Sequence, residues 1–290
     1  MTTSFFVSDI HGDKGKYRAL FAKMISEKPS FVFLGGDLLP HIRKSERLGS
    51  APVPDFINGF LIPGFRSVQR QMGCNYPEIF MISGNDDHRI EEDRFRLGES
   101  MELWRYITGA RFKFGPYVFF GYSFVPPTPF QLKDWEKFDT DTALPHGSIE
   151  PGGGFRTVEP DYDPTKDSIG MDMEALSAEP LPPKSVFLFH APPFNSPFDV
   201  AVPILKNGEP SEKINIGSKA IKSFIATMQP YITMHGHAHE SVAETGIWMM
   251  RTGSTISFCA VHNGPQLALV VFKLDEPERA ERLLLDAIPD

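Results

Sequence analysis

The sequence predicts a single α/β domain that contains two β-sheets. Short apolar runs, each closed by a polar loop, recur as far as Ser241 with helical stretches between some of them, which is the rhythm of βα units. After Ser241 that rhythm gives way to short alternating runs split by glycines, the pattern of antiparallel strands. The length of 290 residues, 41% of them hydrophobic, is enough for one large core or two smaller ones, so the choice of one domain rests on the continuous pattern.

Taken in order, Ser4 to Ser8 is a short apolar run closed by Asp9, as a buried strand would be. Lys14 to Lys28 then carries a helical stripe of Tyr17, Leu20, Phe21, Met24 and Ile25. Ser30 to Leu34 repeats the strand pattern before Gly35-Gly36, and Glu78 to Ile82 repeats it before Ser83-Gly84. Ser185 to Phe189 and Tyr231 to Met234 read as two further buried strands, with a helix from Ser218 to Met228 between them. From Ser241 to Leu274, Gly246, Gly253 and Asn263-Gly264 divide an antiparallel sheet. The charged run from Glu276 to Asp290 reads as a surface helix. Two insertions, at about 40–76 and 126–183, break the rhythm; loops this long are usually functional or disordered.

The net charge of -8 supplies no broad basic field, which argues against nucleic acid and anionic membrane as partners. No secretory signal and no apolar run of about 18 residues is read, so no membrane partner is expected. Two cysteines, Cys74 and Cys259, cannot build a disulfide framework and favour a reducing compartment. The expectation is a soluble cytoplasmic protein, with nothing in the sequence to set its oligomeric state.

Candidate metal ligands fall just after the predicted buried strands, where sites are built in α/β sheets. Asp9 and His11 follow the first strand in SDIHGD, Asp37 the second in LGGDLL, and Asn85 the third in SGNDD. His190 ends the strand FLFH, and His237 and His239 follow the next in MHGHAHE. Singly these signals are weak, because an Asp-x-His pair is common by chance and a lone buried histidine is more often satisfied in the core. Strand ends also collect polar caps and turns. Seven ligand-type residues in this order outweigh those readings. Carboxylate, imidazole and amide oxygen suit two divalent ions such as Mn, Fe or Zn, and the lack of cysteine argues against a structural zinc site. A pair of cations about 3.5 to 4 Å apart holds a phosphate and lowers the pKa of a bound water from about 15.7 to about 7. At roughly 1.4 kcal/mol per unit this favours the hydroxide nucleophile by about 12 kcal/mol, without a side-chain base.

These motifs resemble the pattern of the calcineurin-like metallophosphoesterase superfamily, D-x-H, G-D, G-N-H-D/E, a lone H and G-H-x-H, across residues 9 to 239. The resemblance implies an α/β four-layer sandwich of two mixed β-sheets flanked by α-helices. It implies that Asp9, His11 and His239 hold one metal, that Asp37 bridges, and that Asn85, His190 and His237 complete the second. A closer resemblance to predicted phosphoesterases of the Icc-related type is carried by SFVPPTPF, FHAPPFNSPFD and IGSKAIKSFI followed by HGHAHES.

One departure bears on mechanism. Asp86 stands where many members have the histidine that protonates the leaving group. A carboxylate beside two dications stays ionised, so Asp86 can orient a group or accept a hydrogen bond but not donate a proton. Asn85, Asp86 and His88 are therefore the candidate catalytic residues, His88 as a substitute proton source; an exposed turn histidine is its blander reading. A general acid contributes about 10²- to 10⁴-fold, so its loss is felt least with aryl phosphodiesters.

Arg43, Lys44 and Arg47 either steer phosphate or form a solvated cluster. Phe124 to Trp135, with Phe194 and Phe198, either line a pocket for a flat group or simply pack the insertion. The Asp-rich stretch from Asp139 to Asp172 lacks a calcium-loop pattern and reads as solvated. The function expected is hydrolysis of a small phosphate ester, diester ahead of monoester. The alternatives are a phosphomonoesterase or phosphatase, and a non-catalytic scaffold that binds a partner protein; the acidic balance weighs against a nuclease.

Overall fold

The computed structural model describes residues 3–41, 55–145, 147–203 and 209–289. Strands β1 (Thr3–Val7), β2 (Phe31–Gly35), β3 (Glu78–Ile82) and β4 (Arg105–Tyr106) run parallel in one sheet. That sheet is extended beyond β1 by the antiparallel pair β13 (Leu267–Lys273) and β14 (Glu276–Leu285). In the second sheet β6 (Tyr117–Tyr122), β7 (Ser185–Phe189), β10 (Ile232–His235) and β12 (Thr255–Cys259) are parallel, with β5 (Arg111–Phe114) and β11 (Met249–Thr252) antiparallel at its two edges. A two-stranded ribbon, β8 (Val200–Ala201) with β9 (Ile214–Asn215), completes the strands. Among the described residues both large sheets are mixed and each has six strands.

The period-two projection of side chains explains why the strands read as unbroken apolar runs. In the first sheet Phe5, Val7, Val32, Leu34, Ile79 and Met81 face the helices, and the alternate residues Phe6, Phe33, Phe80 and Ile82 face the other sheet. Phe80 and Phe119 stack across the gap at 4.4 Å, one of several such pairs, each contributing about 0.5–1.5 kcal/mol beyond its buried area. On the far side of the second sheet Phe187, Phe189 and Phe120 pack on helices. The layers are thus helix, sheet, sheet, helix.

Helix α1 (Lys14–Glu27) forms where its stripe places it, begun by Asp13, whose carboxylate accepts from the Lys16 N–H at 3.0 Å. With α2 (Ile62–Met72) and α3 (Glu92–Ser100) it covers the first sheet, and α4 (Ile169–Leu176) and α5 (Lys219–Met228) cover the second. A short α6 (Ser241–Thr245) follows β10. None of the helices is long and apolar enough to cross a membrane among the described residues.

Three expectations need correction. The end of the first insertion is a π-turn, Ile57–Leu61, running into α2, and not a loop. Gly59, Pro63 and Gly64 hide the helical spacing of Phe56, Ile57, Leu61, Phe65, Val68 and Met72, but a proline in the first turn costs no internal hydrogen bond. The C-terminal run is strand β14 and not a surface helix, because pairing with β13 satisfies its backbone and leaves its charges on the open side of an edge. The segment after Ser241 does not form a sheet of its own. It contributes β11, antiparallel, and β12, parallel to β10, to the second sheet, then crosses to the first as the antiparallel strand β13. Strands β4 to β6, including the hairpin that turns at Gly115, are further elements beyond the runs expected from the sequence.

Candidate active site

The candidate ligands come from loops at the carboxyl ends of five parallel strands and meet where the sheets abut. Asp9 and His11 follow β1, Asp37 follows β2 and Asn85 follows β3; His190 follows β7, and His237 and His239 follow β10. The chain leaves these strands in a conformation that L-residues rarely adopt. Of eight non-glycine residues with positive φ among the described residues, four are Asp9, His11, Asp37 and His237. Such strain persists only where the surroundings impose it, and it concentrates at functional sites. Glycines allow the loops to close on one another. A Cβ on Gly84 would lie 2.2 Å from Asp37 Oδ1, and one on Gly36 would lie 2.6 Å from His190 Nδ1.

Asp37 is central. Its Oδ2 lies 3.7 Å from His11 Nε2, and its Oδ1 lies 3.5 Å from His190 Nε2 while accepting from the Asp86 N–H at 2.8 Å. Asp9, His11, Asp37 and His239 each offer a ligand atom within 4.8 Å of the others. His11 Nε2 and His239 Nε2 are 3.0 Å apart, the separation expected of two nitrogens at right angles on one cation at about 2.0–2.1 Å. Asp9 faces His239 at 3.1 Å and accepts from the His237 backbone N–H at 3.0 Å.

On the other side, His190 Nδ1 donates to the Gly35 carbonyl at 2.8 Å, which turns Nε2 toward Asn85 Oδ1 at 3.1 Å. The His237 ring lies 5.3 Å from that of His190. The fold thus brings all seven residues together around Asp37.

The electrostatics call for added positive charge. Asp9 and Asp37 are 4% and 3% exposed, and among the described residues their ion pairs are with histidines alone. Burial works against charge on Asp9, yet the hydrogen bond and charge of His239, with His190 and His11 behind it, hold its carboxyl well below the usual carboxylate range. Burial likewise opposes ionisation of Asp37, and His190 and His11 overcome it. Burial disfavours charge on His190 and His239, but Asp37 and Asp9 respectively push them up to about 9. His237 is driven down to about 3 by burial and by the nearby His190. Protons here do what a bound cation would do. A convergent set of carboxylate, imidazole and amide oxygen donors fits divalent metal.

Asp86 faces the open side. Burial disfavours its charge, but His11 and His41 hold it well below the usual carboxylate range, in agreement with the ionised state expected for it. His41 is the residue the sequence reading missed. It pairs through Nδ1 with Asp86 Oδ2, stacks on the His11 ring at 4.5 Å, and with His11 and Asp86 makes a second convergent group. It is exposed, whereas Asn85 and His190 are buried, so the site opens on the side of His41, Asp86 and His239. His88 is 5% exposed and in neither group, which corrects its reading as an exposed turn residue.

Arg43, Lys44 and Arg47 lie outside the described residues. The Asp-rich stretch is not simply solvated: Asp139 accepts from the first N–H groups of α5, Asp161 pairs with Arg89, and Asp172 pairs with Lys137. Phe124 and Trp135 line a cavity of about 1040 Å³ that none of the candidate ligands borders, and Phe194 and Phe198 are not part of it.

A family model described as calcineurin-like phosphoesterase matches residues 3–241. No curated protein matches the chain in sequence. Among solved structures, protein TT1561 of Thermus thermophilus is similar over 98% of this chain and 98% of its own, at 13% identity and a TM-score of 0.55, a likeness of fold. A dimetal phosphatase from Danio rerio is similar over 99% of each chain, at 12% identity and a TM-score of 0.49. The strand order, the layering and the family match agree, and the chain belongs to the calcineurin-like phosphoesterase family.

Proposed function

We propose that this protein is a phosphoester hydrolase that uses two divalent metal ions and acts on phosphodiesters. The observation that carries the reading is Asp37, a buried carboxylate whose two oxygens face two different sets of donors. In this reading Asp9, His11 and His239 hold one ion, Asn85, His190 and His237 hold the other, and Asp37 joins them. Two such ions supply an activated water and neutralise charge on the phosphoryl group.

The protein's own groups set the specificity. Asp86 keeps a negative charge at the mouth, which repels a dianionic monoester more than a monoanionic diester. His41, held by that carboxylate, stands over the open side, and we assign it, in place of His88, the contact with the leaving group. Asn85 orients the phosphoryl oxygens from below.

Hydrolysis of bis(p-nitrophenyl) phosphate and p-nitrophenyl phosphate by metal-stripped protein, with Mn, Fe(II), Zn or Mg added back, tests the proposal. Metal-dependent turnover with the diester ahead is expected. Monoester preference would transfer the reading to a phosphatase, and no turnover with any metal would leave a scaffold.

A further inference from the structure

The insertion at 126–183 meets the candidate site from behind, through the loop that carries Asn85 and Asp86. The Trp135 indole N–H donates to the Asp87 carbonyl at 2.9 Å. Asp134 accepts from the Arg89 N–H at 2.8 Å and from the Thr157 N–H at 2.8 Å, and the Thr157 hydroxyl accepts from the Ile90 N–H at 3.0 Å. The Arg89 guanidinium pairs with Asp161 at 2.8 Å and lies 5.2 Å from the Trp135 ring centroid.

These contacts solve a local problem. The helical turn Arg89–Glu91 that leads into α3 has no side-chain cap of its own, so its first N–H groups need partners. The insertion supplies them with a carboxylate and a hydroxyl. Asp134 and Trp135 are 1% and 2% exposed, too deep to meet substrate.

From Asp87 the connection continues to the site. Its carboxylate accepts from the Leu38 N–H at 2.9 Å, the Leu39 N–H at 2.8 Å and the Gly84 N–H at 2.9 Å, tying the Asp37 loop to the Asn85 loop. The insertion's turn is itself fixed by a buried pair, Lys133 with Glu136 at 2.6 Å, and by the Thr128 N–H donating to Glu136 at 2.8 Å.

We infer that Asp134 and Trp135 are positioning residues for the Gly84–Arg89 loop, so that the insertion is a buttress that places Asn85 and Asp86 against Asp37. Its effect on metal rests on the two-ion reading above; its effect on the loop does not.

The test compares the full-length protein with Trp135→Phe, which keeps a ring and removes the N–H, and Asp134→Asn, which keeps the size. Amide hydrogen exchange over residues 84–90 of the metal-free proteins should rise in both variants, and one of two Mn(II) affinities should fall about tenfold or more, as when outer partners of a metal site are lost. Tyr231→Phe removes a hydroxyl that donates to the Leu274 carbonyl at 2.8 Å, away from the site, and should change neither readout. Unchanged exchange over 84–90 in both folded variants overturns the buttress whatever the metal does. A wild-type protein that takes up no Mn(II) overturns the two-ion reading and leaves the exchange result to decide the buttress.

Discussion

Individual side chains show how differently equal residue types are used here. Asp9, Asp37 and Asp86 are held ionised by histidines, whereas Glu136 is pushed up to about 7 by burial, which outweighs the attraction of Lys133. The sign of the pH effect follows from linkage. The folded protein holds the Glu136 proton over a range, from about 4.5 to about 7, in which the unfolded chain has lost it, so this group's stabilisation declines as pH rises through that window. The full change is about 3 kcal/mol. In urea denaturation the wild type should lose ground to Glu136→Gln between pH 5 and pH 7.5; a difference that stays level would show that Lys133 keeps Glu136 ionised throughout. The ionised state of Asp86 followed from the metals the motifs imply, but nothing in the sequence marked Glu136 as shifted the other way, because that depends on its burial. His41 was equally silent, a lone histidine after Pro40 with no spacing to mark it.

Elements, and above all their ends, hold the site. Each candidate ligand sits where a parallel strand stops, and the loops can approach because Gly36 and Gly84 carry no side chain. Gly84→Ala would place a methyl group 2.2 Å from Asp37 Oδ1 and 2.6 Å from His190 Cε1, neither of which has room to retreat. The expected result is a folded protein with turnover down by about 10² or more, because misplacement by about 1 Å costs that much. Wild-type turnover together with a wild-type melting temperature would show the loop to be more compliant than its packing implies. The strand-end motifs made the candidate ligands legible. The close approach of the loops was not: the motifs mark Gly36 and Gly84, but what a side chain at either would strike lies across the site and far along the chain.

For the molecule as a whole, the important fact is that the candidate ligands are divided between the sheets. Asp9, His11, Asp37 and Asn85 belong to the first, and His190, His237 and His239 to the second. Metal held by both sets would link the sheets at one end of their shared core, beyond what Phe80, Phe119 and their neighbours supply. A cation at a hundred times its dissociation constant stabilises by about 2.7 kcal/mol, which for a chain of this size raises Tm by about 5 °C or more. Calorimetry with Mn(II) and with EDTA checks this, and equal melting temperatures would mean that no cation bridges the sheets.

The sequence by itself determined the α/β class, five of the parallel strands, helices α1 and α5, and the seven candidate ligands. All of these are local patterns: an apolar run, a helical stripe, a polar residue where a strand stops. Only the tertiary structure decided what depends on distant partners. β13 makes a strand of β14, whose charges alone suggested a helix. The meeting of two loops gives Asp86 a histidine from position 41. Packing against residues 87–90 turns an irregular insertion into a support, because a hydrogen bond joining positions 87 and 135 depends on proximity in space, which no pattern along the chain encodes.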